Sequence, residues 1–290
     1  MSCSPWLSLL LLLLPTLLTA QPVISVPARL IVAPTSVTDR SGNFINGLTA
    51  ADFQLYDNDV PQQVHEDGDF LPISLAIAVQ TNLRKQAVER VRDLGPLLGA
   101  LVVGVGGEAA ILTFNDKVEV RQKFTPDLGR LTRTLRGIDF SPGPADPLNA
   151  VFEACQLLDR QPELRRRILL LISEPYPGNG KDVGPDVTLS NTLIYSLNVG
   201  HGPGPEDVLS SLTRYTGGRE YSIGNERALE RAVTQIGEEI HSQYLLSYTP
   251  VRTSESGFHR IRVTTKRKGA EVRSRPGYWS LAQELVPQLQ

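Results

Sequence analysis

The chain contains very little cysteine, and this scarcity excludes a fold held together by disulfides. Of its 290 residues only Cys3 and Cys155 are cysteines, and Cys3 lies in a leader that we expect to be removed. A mature chain with one cysteine cannot form an intramolecular disulfide. Cys155 falls on the same side of a predicted helix as Val151, Ala154 and Leu158. This placement predicts a buried, unreactive thiol.

The sequence also lacks the motifs of common catalytic centres. No Gly-x-Ser-x-Gly, Ser-x-x-Lys or His-Glu-x-x-His pattern is present. The glycines at 104–107 follow a predicted helix and precede a predicted strand, which is the reverse of the order in a dinucleotide-binding loop. Glu238 and Glu239 are adjacent on a predicted helix, so they do not face one another, and we interpret them as part of a solvated face. We therefore expect neither enzymatic activity nor a cofactor.

Histidine is equally scarce. The four histidines, at 65, 201, 241 and 259, have no metal-ligand spacing. His65 stands beside Glu66, Asp67 and Asp69, a composition typical of a solvated linker rather than of a metal cluster.

No excess of one charge directs the chain toward a particular partner. The net charge is −2, which gives no broad attraction to nucleic acid or to acidic membranes. Basic residues gather at 165–167 and between His259 and Arg275. We interpret the first group as capping a strand edge and the second as a solvated surface that discourages aggregation. Contact with an anionic glycan or a nucleic acid is the alternative for the second group, although it lacks the interleaved aromatics of single-strand binders.

The only long hydrophobic run is at the amino terminus. Residues 7–18 are almost wholly apolar, yet this stretch is too short to span ~30 Å of hydrocarbon comfortably. A plausible cleavage point follows at Ala20, although residues 1–6 lack the usual Lys or Arg. We predict that residues 1–20 are a cleaved signal peptide and that the mature protein is secreted or periplasmic, with no membrane span. The alternative is an uncleaved anchor or a core segment.

From Pro72 onward, strands and helices alternate. The apolar runs at 73–79 and 168–172 are typical of strands buried on both faces of a parallel sheet, and residues 192–199 are predicted to form a third such strand. A hairpin is predicted at 108–124, and helices are predicted at 83–103 (bent at Gly95-Pro96), 127–135, 147–158, 206–215 and 227–243. This alternation predicts an α/β, Rossmann-like fold whose mostly parallel sheet has helices on both faces.

Both flanks of this region are rich in predicted β-strands. In the first flank Thr49 and Asp52 have the spacing of a capping box, and residues 65–69 resemble a linker. We expect the two flanks to pack together as a small β-sandwich. The expected organisation is a signal peptide at 1–20, a β-rich segment at 21–69, the α/β domain at 70–243, a C-terminal β segment at 244–282 and a tail at 283–290.

Several motifs of the α/β region resemble those of von Willebrand factor type A domains. They are the apolar strand 73–79 with its polar turn, Ala110 to Asn115, the helix opening at Pro147, Ile168 to Ser173, and Leu212 to Arg219. The flanks are similar to those of the bacterial "VWFA-related" proteins common in Acidobacteria. The matching flank motifs are 37–42, 47–53, 243–248, 260–263 and 275–278. The resemblance covers nearly the whole mature chain.

The resemblance implies a metal-ion-dependent adhesion site at the carboxyl edge of the sheet, and this sequence departs from it in all three loops. The first loop, normally Asp-x-Ser-x-Ser, has Gln80, Asn82 and Arg84 at its ligand positions. The second has Ala145 where threonine is usual, and the third has Ser173 where aspartate is usual. Mg²⁺ favours anionic oxygen ligands. A guanidinium at one of these positions would repel the cation instead of attracting it. We therefore expect the metal site to be degenerate and a divalent cation to be absent.

Three interpretations of this edge remain open. Arg84 could pair with Asp146 or Glu174 and hold the loops together without metal. Arg84 could instead replace the cation and receive a carboxylate from a partner. Finally, Asp146 and Glu174, each one residue beyond the usual ligand position, could form a shifted metal site.

The function predicted from the sequence is an exported, non-enzymatic protein–protein interaction module of the adhesion or scaffold type. Its partner is a protein of unknown identity rather than a nucleic acid. The alternative is a metal-dependent adhesion or receptor module. The candidate binding residues are Gln80, Asn82, Arg84, Ala145, Asp146, Ser173 and Glu174.

Overall fold

A computed structural model describes residues 30–66, 71–92, 94–98, 106–139, 141–162, 165–178, 191–200, 207–251 and 256–280. The predicted signal peptide, its cleavage point and the tail lie outside these ranges, as do Asp67, Asp69 and His201. None of the helices in the described ranges has both the length and the apolar character needed to cross a bilayer.

The described residues form fourteen strands. In chain order they are β1 (Ile31–Thr38), β2 (Phe53–Asp57), β3 (Val60–Gln62), β4 (His65–Glu66), β5 (Ile73–Gln80), β6 (Glu108–Phe114), β7 (Val118–Thr125), β8 (Arg166–Ser173), β9 (Leu193–Asn198), β10 (Glu220–Ser222), β11 (Tyr244–Tyr248), β12 (Gly257–Thr265), β13 (Glu271–Ser274) and β14 (Gly277–Ser280).

Six helices are named in these ranges, and four of them begin at a capping side chain. They are α1 (Lys85–Arg92), α2 (Gly95–Leu98), α3 (Leu128–Arg136), α4 (Pro147–Asp159), α5 (Val208–Thr216) and α6 (Glu226–Ser242). The last four helices are capped by Asp127, Asp146, Asp207 and Asn225, whose side chains accept backbone N–H groups of the first turn. The predicted capping box of Thr49 and Asp52 is at the amino end of a short 3-10 helix, Ala50–Asp52.

The central sheet has the spatial order β10-β9-β8-β5-β6-β7. Its strands are parallel except β7, which pairs antiparallel with β6. Every residue of β5 is buried, as its continuous apolar sequence predicts. Ile77 and Val79 belong to a core with residues of α1, α3 and α6 on one face, whereas Ala76 and Ala78 belong to a core with α4 and α5 on the other. The predicted α/β fold class is confirmed.

The two flanks build a second, smaller structure of two antiparallel sheets. One sheet has the order β13-β1-β11-β4 and the other the order β14-β12-β2-β3. Strand β1, from the first flank, lies between β11 and β13 from the second, and β2 pairs with β12. One apolar core joins both sheets, so the expected small β-sandwich is confirmed. We propose that the domain boundaries follow the sequence-based division at 69/70 and 243/244.

Several predicted elements need correction. His65 and Glu66 are not part of a linker, because they form β4 and pair with β11. The helix predicted for 83–103 is two helices, since α1 ends at Arg92 and α2 begins at Gly95, within a sequence whose glycine and proline disfavour a continuous helix. In the first flank, β1 is a single strand that runs through Pro34 to Thr38. In the second flank, β14 was not predicted.

Three charged or polar side chains expected at the surface are buried. Glu239, predicted to lie on a solvated helix face, is 2% exposed, whereas its neighbour Glu238 is exposed. His259 and Arg275, which bound the predicted basic surface, are each 3% exposed. Cys155 is buried, in agreement with its place on the apolar side of α4. In the first basic run, Arg165 donates to the carbonyl of Ile73, the first residue of β5, at 2.9 Å.

Candidate binding edge at the carboxyl ends of the strands

The structure brings the three predicted loops together at the carboxyl edge of the central sheet. Gln80 ends β5 and Ser173 ends β8, and these strands are neighbours in the sheet. The second loop, residues 143–146, leads into α4. The carboxyl edge of an open α/β sheet is where ligands generally bind.

The side-chain amide of Gln80 connects the end of β5 with the loop that follows β8. It is 5% exposed. Its Oε1 accepts the backbone N–H of Glu174 at 3.0 Å, and its Nε2 donates to Oδ1 of Asn82 at 2.7 Å. Both ends of the amide are therefore used inside the protein.

Asn82 extends this connection to the loop before α4. Its Nδ2 donates to the carbonyl of Gly143 at 2.5 Å. Behind it, Nδ2 of Asn115 donates to the hydroxyl of Ser141 at 3.0 Å, and the backbone N–H of Asp146 donates to the carbonyl of Asn115 at 2.9 Å. A chain of direct hydrogen bonds, Glu174–Gln80–Asn82–Gly143, thus spans all three loops.

The remaining predicted site residues occupy different environments. Asp146 is exposed, and its Oδ1 accepts the N–H of Asn149 at 3.0 Å, which caps α4. Ala145 packs partly against the core. Ser173 is fully buried, and its hydroxyl has no hydrogen-bond partner among the described residues. Glu174 is half-buried.

Arg84 lies on the same loop as Gln80 and Asn82, at the start of α1. Its carbonyl accepts the N–H groups of Ala87 at 2.8 Å and Val88 at 3.2 Å, so it occupies the N-cap position. The side chain is exposed. The loop therefore carries one buried amide, at Gln80, and one exposed basic residue, at Arg84.

A second polar group, which was not predicted from the sequence, lies farther along this edge. Nδ2 of Asn198, at the end of β9, donates to Oε1 of Glu220 at 3.1 Å, and Ser210 donates to its Oε2 at 2.6 Å. Asp207 accepts the N–H groups of Leu209 at 3.0 Å and Tyr176 at 3.1 Å through Oδ1, while its Oδ2 is buried without a partner. Burial raises the pKa of the Asp207 carboxyl, and the nearby Glu220 adds to the shift.

A small polar cavity adjoins the first loop. It has a volume of about 220 Å³ and is lined by residues that include Thr81, Asn115, Lys117, Arg121 and Ser141. Within the described ranges, His, Cys, Asp and Glu side chains form no group of three or more that could hold a metal ion.

Among known proteins, only solved structures show a similarity to this chain, and that similarity is one of fold. No family model and no curated protein matches the chain. Among solved structures it is similar to a von Willebrand factor type A protein from Catenulispora acidiphila, with 8% identity, 87% of this chain and 74% of that chain covered, and a TM-score of 0.53. BatB from Bacteroides thetaiotaomicron matches with 14% identity, 58% and 98% coverage and a TM-score of 0.47. Proximal thread matrix protein 1 from the mussel byssus matches with 10% identity, 61% and 48% coverage and a TM-score of 0.48.

The α/β unit therefore has the fold of a von Willebrand factor type A domain, and the resemblance identified from the sequence motifs is confirmed. At these identities the likeness concerns the fold alone. What the edge binds has to be argued from its own residues.

Proposed function

We propose that this chain is an exported, non-enzymatic interaction module that binds a protein partner through the carboxyl edge of its central sheet without a divalent cation. The observation that carries the proposal is the hydrogen-bond chain from Glu174 through Gln80 and Asn82 to Gly143. In type A domains a metal ion joins these three loops. Here direct amide hydrogen bonds do so.

The chemistry of the donor groups argues against a hard cation at this place. The first loop offers two neutral amides, and the oxygen of each already accepts a hydrogen bond. Mg²⁺ and Ca²⁺ favour carboxylate oxygens, which supply the negative charge that offsets their dehydration. One oxygen of Asp146 is engaged in capping α4. The residues present therefore do not suit the metal that the fold implies.

Arg84 is the candidate contact for the partner. It is an exposed residue of the loop that supplies the first metal ligands in type A domains. A guanidinium presents five N–H donors and binds a carboxylate with two parallel hydrogen bonds. The positive charge of the lost cation is thus replaced by a covalently attached one, and a carboxylate on the partner is the group that it would receive.

The arrangement of the acidic and basic side chains also supports a non-enzymatic role. His259 and Asp57 are in contact at 2.9 Å, but both are buried inside the sandwich. The hydroxyls nearest to this pair, of Tyr248 and Tyr278, both donate to Asp57. A pair used in this way lacks an activated nucleophile and access for substrate.

Calorimetric titration with Mg²⁺, Mn²⁺ and Ca²⁺ tests the absence of metal binding. We expect no heat of binding from the wild type and none from Asp146→Ala or Glu174→Ala. A saturable heat that either substitution abolishes would instead support the shifted metal site of Asp146 and Glu174, and with it the metal-dependent alternative.

Affinity capture tests the role of Arg84. Immobilised wild type, Arg84→Ala and Lys123→Ala are exposed to an extract of the exporting organism, each with and without EDTA. Lys123 is a suitable control because it is an exposed cation near the opposite end of the same sheet. We expect a partner that Arg84→Ala loses, that Lys123→Ala retains and that EDTA leaves bound. Loss of capture on addition of EDTA would refute the proposal.

A further inference from the structure

The solvent side of the sheet β14-β12-β2-β3, here called the outer face, carries an unusual set of side chains. Strand β12 alternates strictly between buried and exposed positions, so His259, Ile261 and Val263 enter the sandwich core. The residues that remain outside are Phe258, Arg260 and Arg262 from β12, with Trp279 from β14 and Tyr56 from β2.

Phe258 and Trp279 form an aromatic platform at one end of the outer face. They are directly opposite in the pairing of β12 with β14, with ring centroids 6.0 Å apart and planes tilted by 64°. The Phe258 ring lies over Gly277, because a Cβ built there would come within 2.5 Å of its Cζ. The same Cβ would lie 2.2 Å from the carbonyl oxygen of His259, so position 277 requires glycine, and its bare backbone lets the Phe258 ring pack closely against β14. Phe258 is 39% and Trp279 36% exposed.

Guanidinium groups occupy the middle of the outer face. Arg260 pairs with Asp59 at 2.6 Å, and Arg262 approaches the second oxygen of the same carboxylate at 3.7 Å. Arg262 also lies over the Tyr56 ring, 4.0 Å from its centroid. One carboxylate thus positions two cations side by side and leaves a net positive charge, and both arginine side chains are more than half exposed.

The positive charge continues beyond the strands. Lys266, Arg267 and Lys268 follow β12 in the turn toward β13, and all three are exposed. At about 3.4 Å per residue, Phe258 and Lys266 lie roughly 27 Å apart along the strand. The outer face is therefore an elongated, cationic surface with its aromatic platform at one end, on a chain whose net charge is −2.

We propose that the outer face binds an anionic polysaccharide, with sugar rings stacked on Phe258 and Trp279 and acidic groups paired with Arg260 and Arg262. A sugar ring presents C–H groups of partial positive charge, which suit the negative face of an aromatic ring. Its carboxylate or sulfate substituents suit guanidinium donors. An extended polymer matches the length of the face and the row of cations along it.

Other polyanions fit this surface less well. Single-stranded nucleic acid is bound on a succession of open aromatic rings, but the Tyr56 ring is already covered by Arg262. A simple acidic polypeptide would use the arginines and lysines without requiring the aromatic platform. The dependence of binding on Phe258 and Trp279 therefore distinguishes a glycan from a mere polyanion.

Affinity electrophoresis of the whole protein in gels containing polygalacturonate, poly-L-glutamate or neutral dextran tests the proposal. We expect strong retardation by polygalacturonate at low salt, weaker retardation by poly-L-glutamate that does not depend on Phe258 or Trp279, and none by dextran. Arg260→Ala/Arg262→Ala, Phe258→Ala and Trp279→Ala should each weaken polygalacturonate binding by about tenfold. Added salt should weaken it as well, because the charged groups are exposed.

Two control variants make the test specific. Lys123→Ala/Arg136→Ala removes two exposed cations from the α/β unit, and Val120→Ala removes an exposed apolar side chain there. Both should bind as the wild type does. Circular dichroism establishes that every variant is folded, and Trp279→Ala serves alone if Phe258→Ala is not. The proposal is wrong if wild type is not retarded by polygalacturonate, or if folded aromatic variants bind it unchanged.

Discussion

Arg273, in a strand of the sandwich, forms an ion pair with Glu239, in the last helix of the α/β unit. The carboxylate of Glu239 also accepts the Tyr195 hydroxyl at 2.7 Å and Nε2 of Gln243 at 3.2 Å. Arg273 donates in addition to the carbonyl of Gly217 at 2.6 Å. Burial and the adjacent Glu239 raise the pKa of Tyr195, so its hydroxyl stays protonated and remains a donor. This buried polar centre joins the two structural units.

Removing the arginine of this centre should be costly. Arg273→Ala leaves the Glu239 carboxylate buried without its principal counter-ion, so we expect a loss of about 3 kcal/mol in the free energy of unfolding. Glu239→Gln keeps the acceptor for Tyr195 and leaves the more exposed arginine to water, so its effect should be smaller. Urea denaturation measures both variants. Equal stability of wild type and Arg273→Ala would contradict the assigned role of the ion pair.

Restoring a carboxylate at position 80 should destabilise the loop edge. In Gln80→Glu the N–H that donates to Asn82 becomes an oxygen, and a charge is introduced at a position that is 5% exposed. We expect a loss of about 2 kcal/mol at pH 7. The loss should shrink as the pH falls and the new carboxyl protonates, because burial favours its neutral form.

The matched control for this change is Gln54→Glu, which makes the same substitution on an exposed strand position. Its effect on the free energy of unfolding should be small and nearly independent of pH. Urea denaturation of both variants at pH 5 and pH 7.5 makes the comparison. Stability of Gln80→Glu that equals wild type at pH 7.5 would contradict the structural role of the amide chain.

Asp207 should make stability fall as pH rises. Its carboxyl has a pKa raised above 3.8 in the folded state by burial, so the folded protein binds the proton more tightly than the unfolded chain does. This contribution is full below pH 3.8 and is lost as the pH rises through the raised pKa. Asp207→Asn keeps an oxygen to cap α5 but cannot titrate.

As the pH increases, the wild type should therefore lose stability relative to Asp207→Asn, as measured by their free energies of unfolding. Taking the difference removes the opposite effect of Asp39, Asp52 and Asp127, whose pKa values are lowered mainly by hydrogen bonds to their carboxylates. Denaturation series from pH 3 to pH 7 give the slope. A difference that does not vary with pH would show that burial of Asp207 has no energetic consequence.

A second buried centre should stabilise the sandwich. Asp57 accepts hydrogen bonds from Tyr248 at 3.0 Å and from Tyr278 at 2.9 Å, and it contacts Nδ1 of His259 at 2.9 Å. Burial raises the pKa of Tyr248, which keeps its hydroxyl a donor. Asp57→Ala leaves these buried groups without their acceptor, so we expect a loss of about 3 kcal/mol or more.

Single removal of a donor should cost less than removal of the shared acceptor. Tyr248→Phe and Tyr278→Phe should each lose about 1 kcal/mol, and Tyr56→Phe, on the outer face, should lose little. Thermal and urea denaturation rank the four variants. A ranking in which Tyr56→Phe costs as much as Asp57→Ala would contradict the proposed importance of the buried centre.

The comparison of sequence with structure separates local from distant causes. The apolar run of β5 follows from neighbouring residues, so the sequence predicts it. The Asp146 cap of α4 also has a local cause, but it was not predicted. The burial of Glu239 depends on Arg273, which lies in the other, flank-built unit. The burial of His259 depends on Asp57, which is 202 residues away in the sequence. In Glu239 a local signal did exist, since it lies three residues after Ile236 on the buried side of α6.

The candidate site shows the same division. The positions of Gln80, Asp146 and Ser173 at one sheet edge follow from the order of strands and helices. The hydrogen bonds of Gln80 with Glu174 and Asn82 depend on loop conformations and side-chain rotamers, which residue patterns do not specify. The sequence could therefore indicate a loss of acidic ligands, but not what joins the loops instead.

The position of β1 between β11 and β13 has a consequence for biosynthesis. Strand β1 precedes the α/β unit in the chain, whereas both of its neighbours, β11 and β13, follow that unit. The α/β unit therefore has all its described strands before the sheet of β1 can be completed. A chain interrupted after α6 would leave β1 without either neighbour and β2 without β12, as open edges prone to pair with other chains.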